Sequence, residues 1–410
     1  MRQRPGLAAV AMLAAALLAC TPGGTEEPGR STPSAAAPVS PPTPMPSAEP
    51  PRIPSADGMP AQDVALQFAD PAHAFALLTD CPDQGDCTFS LAVLEDGEGW
   101  HLRDTPLRGT AGDGTDRALE VAGPGSARLV QRDSTGGTES WLSTDGGRTW
   151  RTASAKPTGT TEEIPEGATL VAGDSDAPGD IWNSWDAWDT GGNGEQVEVL
   201  MPDTAEYRVL AEQPPLDVVR RLGLLPDGTY WAQGHAAGSG DPAVAVTRDR
   251  GRSWELLAQP PTPPGHGHNA EVRSLVAVGD ALLAFETGVL LADIHRGTTA
   301  GALIAIHRSD DGGRSWERVW TGGGGTVPRS LLGTPIAAAD GSLVVYADDG
   351  IFTSRDGGVS FESTRVGPPP ERPALTRAGY LLTGLGTPGH YRISADGFTW
   401  HTIILGGAAR

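Results

Sequence analysis

Ser143-Thr144-Asp145-Gly146-Gly147-Arg148-Thr149-Trp150 decides the reading of this chain, because close copies of it return three times. Thr247-Arg-Asp249-Arg-Gly251-Arg-Ser253-Trp254, Ser309-Asp-Asp311-Gly-Gly313-Arg-Ser315-Trp316 and Ser354-Arg-Asp356-Gly-Gly358-Val-Ser360-Phe361 keep one pattern: hydroxyl, x, Asp, x, Gly, x, hydroxyl, aromatic. Asp-x-Gly between two apolar, β-prone runs is a hairpin signal. Glycine takes the positive φ, and the carboxylate accepts N–H groups across the turn. The two hydroxyls are placed to tie the flanking strands, and the ring points into whatever lies behind the hairpin. Burying an indole stabilises by several kcal/mol, roughly, in area terms. A lone carboxylate in a tight turn lacks the partner that acid/base chemistry requires. These aspartates are therefore expected to be structural.

Shortened versions flank the series, at Leu94-Glu-Asp96-Gly-Glu-Gly-Trp100 and Ser394-Ala-Asp396-Gly-Phe-Thr399-Trp400. Asp203-Thr-Ala-Glu-Tyr207 is the weak candidate that fills the gap between Trp150 and Trp254. With it the repeat occurs seven times, at Asp-to-Asp steps of 49, 58, 46, 62, 45 and 40 residues. Such periods mark a repeat architecture. Each repeat reads as four short strands; in 117–154 these are RALEVAG, SARLVQRD, ESWLSTD and RTWRTA, with the octapeptide joining the last two. Repeats at 63–106, 271–320 and 371–406 fit the same scheme, and about 167–212 fits more loosely. The expectation is an all-β chain forming a single β-propeller of seven blades, four strands to a blade, over residues 61–410.

Before it, Arg2 and Arg4 precede an apolar run from Leu7 to Ala19, too short to span a bilayer and suited to a secretion signal over residues 1–19. Leu17-Leu-Ala19-Cys20 resembles a bacterial lipobox, which implies an acylated Cys20, a lipid anchor in the cell membrane and an extracytoplasmic location. Residues 20–60 are rich in Pro, Ser and Ala, and 21–60 hold 12 of the 36 prolines. They read as a disordered stalk, able to reach about 120 Å if fully polyproline-like. With Cys20 acylated, Cys81 and Cys87 remain, six positions apart, and are expected to pair in an oxidising compartment. The formal charge of −21 argues against a nucleic-acid partner.

The octapeptides resemble the BNR, or Asp-box, repeat of sialidase-like propellers over roughly 61–410. That resemblance implies boxes on outer hairpins, away from a central ligand pocket. It also suggests an exo-sialidase, whose relatives carry an early Arg-Ile-Pro motif, an arginine triad, an Asp acid/base and a Tyr–Glu nucleophile pair. Arg52-Ile53-Pro54 matches the first but sits inside the proline-rich run. Arg273 and Arg329 are candidate triad members, and Tyr380 and Tyr391 candidate nucleophiles. The other reading is a binding or scaffolding module for an envelope protein or a carbohydrate, with no catalysis, no cofactor and no metal. Trp182, Trp185 and Trp188, set among Asp180, Asp186 and Asp189, are its possible ligand contacts, or else packing between blades. The insertion at 288–301 is a second contact candidate. His266 and His268 read as part of a loop between repeats rather than as metal ligands.

Overall fold

The computed structural model describes residues 48–406 apart from 82–84, 111–112, 134, 174–193, 262–269, 289–300, 324 and 385–386. The described residues form 28 strands and no helix, and the strands make seven four-stranded sheets. Blade one is β1–β4 (Asp63–Asp70, His73–Asp80, Thr88–Glu95, Gly99–Asp104) and blade two β5–β8 (Asp116–Gly123, Ser126–Arg132, Thr138–Ser143, Arg151–Thr152). Blade three is β9–β12 (Thr160–Thr161, Thr169–Gly173, Gln196–Leu200, Tyr207–Leu210) and blade four β13–β16 (Leu216–Leu224, Tyr230–Ala236, Pro242–Thr247, Glu255–Leu256). Blade five is β17–β20 (Glu271–Val278, Ala281–Gly288, Ala302–Ser309, Glu317–Thr321). Blade six is β21–β24 (Ile336–Ala337, Leu343–Ala347, Gly350–Ser354, Glu362–Val366) and blade seven β25–β28 (Glu371–Thr376, Gly379–Gly384, His390–Ser394, His401–Ile404). The expected seven-bladed propeller is the observed fold.

A strand's two-residue period lets each blade supply both of its seams. On β5, Leu119 and Val121 pack with Phe75 and Leu91 of blade one, while Ala122 packs with Val171 and Tyr207 of blade three. Every seam has its own apolar cluster. The seam between blades seven and one is large, joining Val64, Leu66 and Phe68 to Tyr391, Ile393 and Ile403. The seam between blades two and three is smaller and holds an ion pair instead: Arg128 Nε lies 3.7 Å from Glu120 Oε2, both buried.

Ring closure uses residues assigned above to the stalk. Ile53 is 1% exposed in the seven–one cluster, and Ala56 pairs in parallel with Leu405 beside β28. Ala56 N–H donates to the Ile404 carbonyl at 2.7 Å, and His401 Nε2–H to that of Ile53 at 2.7 Å. Packed structure therefore begins before residue 61, because Ile53 gives the segment an apolar anchor that its proline content conceals.

Blade three departs from the other six. Its order is β10-β11-β12-β9, so the outermost strand comes first in sequence and runs parallel to β12. Thr169, opening β10, donates its hydroxyl at 3.1 Å to Val121, near the end of β5. The inner strand of blade three thus runs opposite to its neighbour's. Asp203 lies in the turn between β11 and β12, the second and third strands of the sheet, not in a third-to-fourth hairpin. The weak seventh repeat is not equivalent to the others. The chain that leaves blade two has already filled the outer position, so no hairpin to a fourth strand is needed.

In the four full octapeptides one hydrogen-bond set recurs. Ser309 Oγ donates to Asp311 Oδ1 at 2.8 Å and accepts Gly313 N–H at 2.7 Å; Asp311 then accepts Ser315 N–H at 2.9 Å and Ser315 Oγ–H at 2.6 Å. Ser143, Asp145, Gly147 and Thr149 repeat it, as do Thr247, Asp249, Gly251 and Ser253, and Ser354, Asp356, Gly358 and Ser360. Glycine at position five is required: Gly147 has φ 76°, and an added Cβ would meet Leu91 of the preceding blade at 2.8 Å. The indoles stitch backward, with Trp150 donating to Asp104, Trp254 to Glu212 and Trp316 to Ala258 carbonyls. Phe361 instead packs edge-on against Trp320, with centroids 6.2 Å apart. In the shortened copy, Asp396 accepts from Ser394, Phe398 and Thr399, and Trp400 packs with Ile336 and Tyr380, its ring 5.6 Å from the Arg392 guanidinium.

The Ser253 and Ser315 hydroxyls, then the N–H groups of the same residues, hold Asp249 and Asp311 at about 2, below the usual 3.8. A depressed carboxyl contributes stability that is present above its unfolded value and lost as pH falls toward the folded one. The thermal unfolding midpoint should therefore drop between about pH 4 and pH 2. Asp249→Asn and Asp311→Asn should lower the midpoint at neutral pH and flatten that acid limb. Wild-type and variant curves that stay parallel across the window would contradict this account.

Candidate functional site

The inner strands enclose a central cavity of about 740 Å³, and every blade contributes: Phe68, Val121, Leu170, Leu222, Ser274, Ala337 and Leu375 line it. Its size falls within the range of small-molecule sites, and its wall is mainly apolar. The charged residues on it are Arg221, Arg273, Arg377, Glu120 and Asp396.

Arg377 comes from the hairpin between β25 and β26. It reaches past blade one to donate to the Ala122 carbonyl of blade two at 3.4 Å and to the Thr169 hydroxyl of blade three. Both acceptors are neutral. Burial pulls its guanidinium below the ordinary 12.5, against the fields of Tyr230 and Asp70. Asp70 itself accepts from Ala72 N–H, His73 N–H and His73 Nδ1–H. No ion pair joins Arg377 to a carboxylate among the described residues. Arg221, in contrast, pairs with Glu271 at 2.7 Å.

Glu120 is 7% exposed at the cavity edge. Its Oε2 accepts the Tyr207 hydroxyl, while Oε1 has no hydrogen-bond partner. Burial pushes its carboxyl up from 4.5, against Arg128 and Tyr207, and pushes the Tyr207 phenol well above 10.

Of the octapeptide aspartates, Asp145, Asp249, Asp311 and Asp356 lie away from the cavity, and only Asp396 borders it. There its Oδ2 accepts Ala48 N–H at 3.1 Å, which sets the start of the described chain at the cavity wall. Arg273 and Tyr380 line the cavity, but Arg329 does not; its Nε lies 3.6 Å from Asp349 on the surface. Tyr380 accepts Ala337 N–H at 3.1 Å, and Tyr391 donates to the Val64 carbonyl at 2.6 Å across the seven–one seam. Burial raises both phenols. Arg52 pairs with Glu49 in solvent. The candidate arginines are therefore not gathered as a triad around the candidate tyrosines. Cys81 and Cys87 are joined by a disulfide in the loop between β2 and β3. Cys20, Trp182, Trp185, Trp188, His266, His268 and residues 289–300 lie outside the described residues. Among the described residues no three His, Cys, Asp or Glu side chains are gathered to hold a metal.

Fold and site together define a seven-bladed β-propeller with a mainly apolar central cavity. No protein-family profile matches the chain, and no curated protein does. Solved structures resemble it in fold. YCF48 from Cyanidioschyzon merolae is 13% identical, with TM-score 0.40, over 83% of this chain and 95% of that one. The β-propeller domain of the Trilobed protease from Pyrococcus furiosus is 8% identical, also with TM-score 0.40 and the same coverage, 83% and 95%. The Hadza microbial sialidase Hz136 is 15% identical, with TM-score 0.35, over 77% of this chain and 73% of that one.

Proposed function

We propose that this chain is a lipoprotein held at the extracytoplasmic face of the cell membrane through Cys20, whose Asp-box propeller binds an envelope protein or a glycan without catalysis. The observation that carries the reading is the state of the tyrosines. A glycosidase nucleophile must approach its anion, yet Tyr207, Tyr380 and Tyr391 are buried, their hydroxyls are engaged, and their acidity is suppressed. Tyr207 does meet Glu120, the pairing an exo-sialidase would use. Arg128, however, lies over its ring at 4.5 Å, and the phenol is closed off from the cavity's solvent. The repeated Ser/Thr–Asp–Gly geometry supports the Asp-box reading, and a preformed cavity supports binding.

Three measurements test this. Wild type should fractionate with membranes, and Cys20→Ser should not. A photo-crosslinker at Ala48, which borders the cavity, should give a discrete adduct in intact cells. The purified protein should leave a fluorogenic sialoside intact; turnover lost on Tyr207→Phe would replace binding with glycoside hydrolysis.

A further inference from the structure

Resting on that binding reading, we infer that the central cavity takes a small amphiphilic carboxylate, its apolar body against the inner strands and its head group on Arg377. An arginine in an apolar wall ordinarily carries a carboxylate partner, because a buried charge without one is costly. Arg377 has only a backbone carbonyl and a threonine hydroxyl, which leaves its positive charge uncompensated at close range. The cavity's own carboxylates do not supply the deficit. Asp396 is occupied by Ser394, Ala48, Phe398 and Thr399, and Glu120 lies with Arg128 and Tyr207. Burial pushes the Glu120 carboxyl up, and Arg221 already has Glu271, so neither cavity carboxylate balances Arg377.

Charge and shape together select the ligand class. A guanidinium binds a carboxylate by two parallel hydrogen bonds. Leu119, Leu170, Leu222 and Ala374 on the cavity wall favour an alkyl body over a sugar. The chain's net charge of −21 makes the rest of the surface repel anions, so a preference for a carboxylate reports on a local site.

The test uses the full chain carrying Cys20→Ser, to keep detergent out, titrated with dodecanoate and with dodecanol by calorimetry. Dodecanoate should bind at one per chain and at least about tenfold more tightly than the alcohol, the ratio a charged hydrogen bond gives. Arg377→Lys should keep the preference, whereas Arg377→Met should bind both probes equally. Leu222→Trp, which fills the cavity without touching the arginine, should abolish binding of both while the unfolding transition is retained. Equal affinity of the two probes for the parent chain, or a carboxylate preference that survives Arg377→Met, would overturn the assignment. So would binding of neither probe. The crosslinking and sialoside measurements do not depend on this result, so failure here leaves the wider reading to its own test.

Discussion

Replacing Arg128 with methionine should cost about 3–5 kcal/mol at neutral pH, the penalty for breaking a buried ion pair from one side. Arg128 is 1% exposed and heads the fully buried side chains by size. It donates to Ser140 Oγ at 2.9 Å and to the Ser154 carbonyl, stacks on Tyr207 and faces Glu120. This is the polar filling of the seam whose apolar cluster is small. Its loss leaves Glu120 buried without a cation, and that makes the penalty depend on pH. Burial already raises the folded carboxyl above its unfolded value near 4.5. A raised group gives full stability below the unfolded value and loses it as pH climbs toward the folded one. Arg128 opposes the rise, so Arg128→Met widens the window. The variant's deficit should be smaller near pH 4 than near pH 7 in urea denaturation. The double variant Arg128→Met with Glu120→Gln should show the same deficit at both. An equal single-variant deficit at the two pH values would rule out this account of the seam.

That seam shows where the sequence stops being readable. The octapeptides announce themselves because a tight hairpin needs a hydroxyl, an aspartate, a glycine and a ring at fixed offsets, and local offsets are what a sequence displays. Six of the seven blades follow from them. Glu120, Arg128 and Tyr207 meet across strands up to 87 residues apart, and nothing about a Glu in RALEVAG distinguishes it from a solvated one. Arg377 is hidden for the same reason. It stands at a two-residue turn, where a charged side chain is ordinarily exposed, and only ring closure carries it over the cavity. The inverted strand order of blade three has one local sign, the lack of a full hydroxyl-x-Asp-x-Gly-x-hydroxyl-aromatic octapeptide between Trp150 and Thr247. Counting Asp203 as a weak repeat masked that sign.

Truncation should expose the other misread segment. A chain beginning at residue 61, where the proline-rich composition ends, loses Ile53 and the parallel pairing of Ala56 with Leu405. Trp100 Nε1–H then loses the Pro54 carbonyl at 2.7 Å. In blades two, four and five the equivalent indole donates to the chain leaving the preceding blade. Blade one follows no other blade in sequence, and residues 53–56 take the place of that outgoing chain. Ile53→Ala in the full chain should cost about 2–5 kcal/mol, as for other fully buried Ile-to-Ala changes, and Ile53→Val about 0.5–1.5. The chain starting at 61 should unfold at lower urea than one starting at 48 by more than Ile53→Ala alone produces, because it also forfeits the Ala56 and Trp100 hydrogen bonds. Limited proteolysis should show the first cuts of the shorter chain in blade one or blade seven, at the open seam. Equal midpoints for the two chains would return residues 48–60 to the stalk and leave the closure of the ring to the seven–one cluster alone.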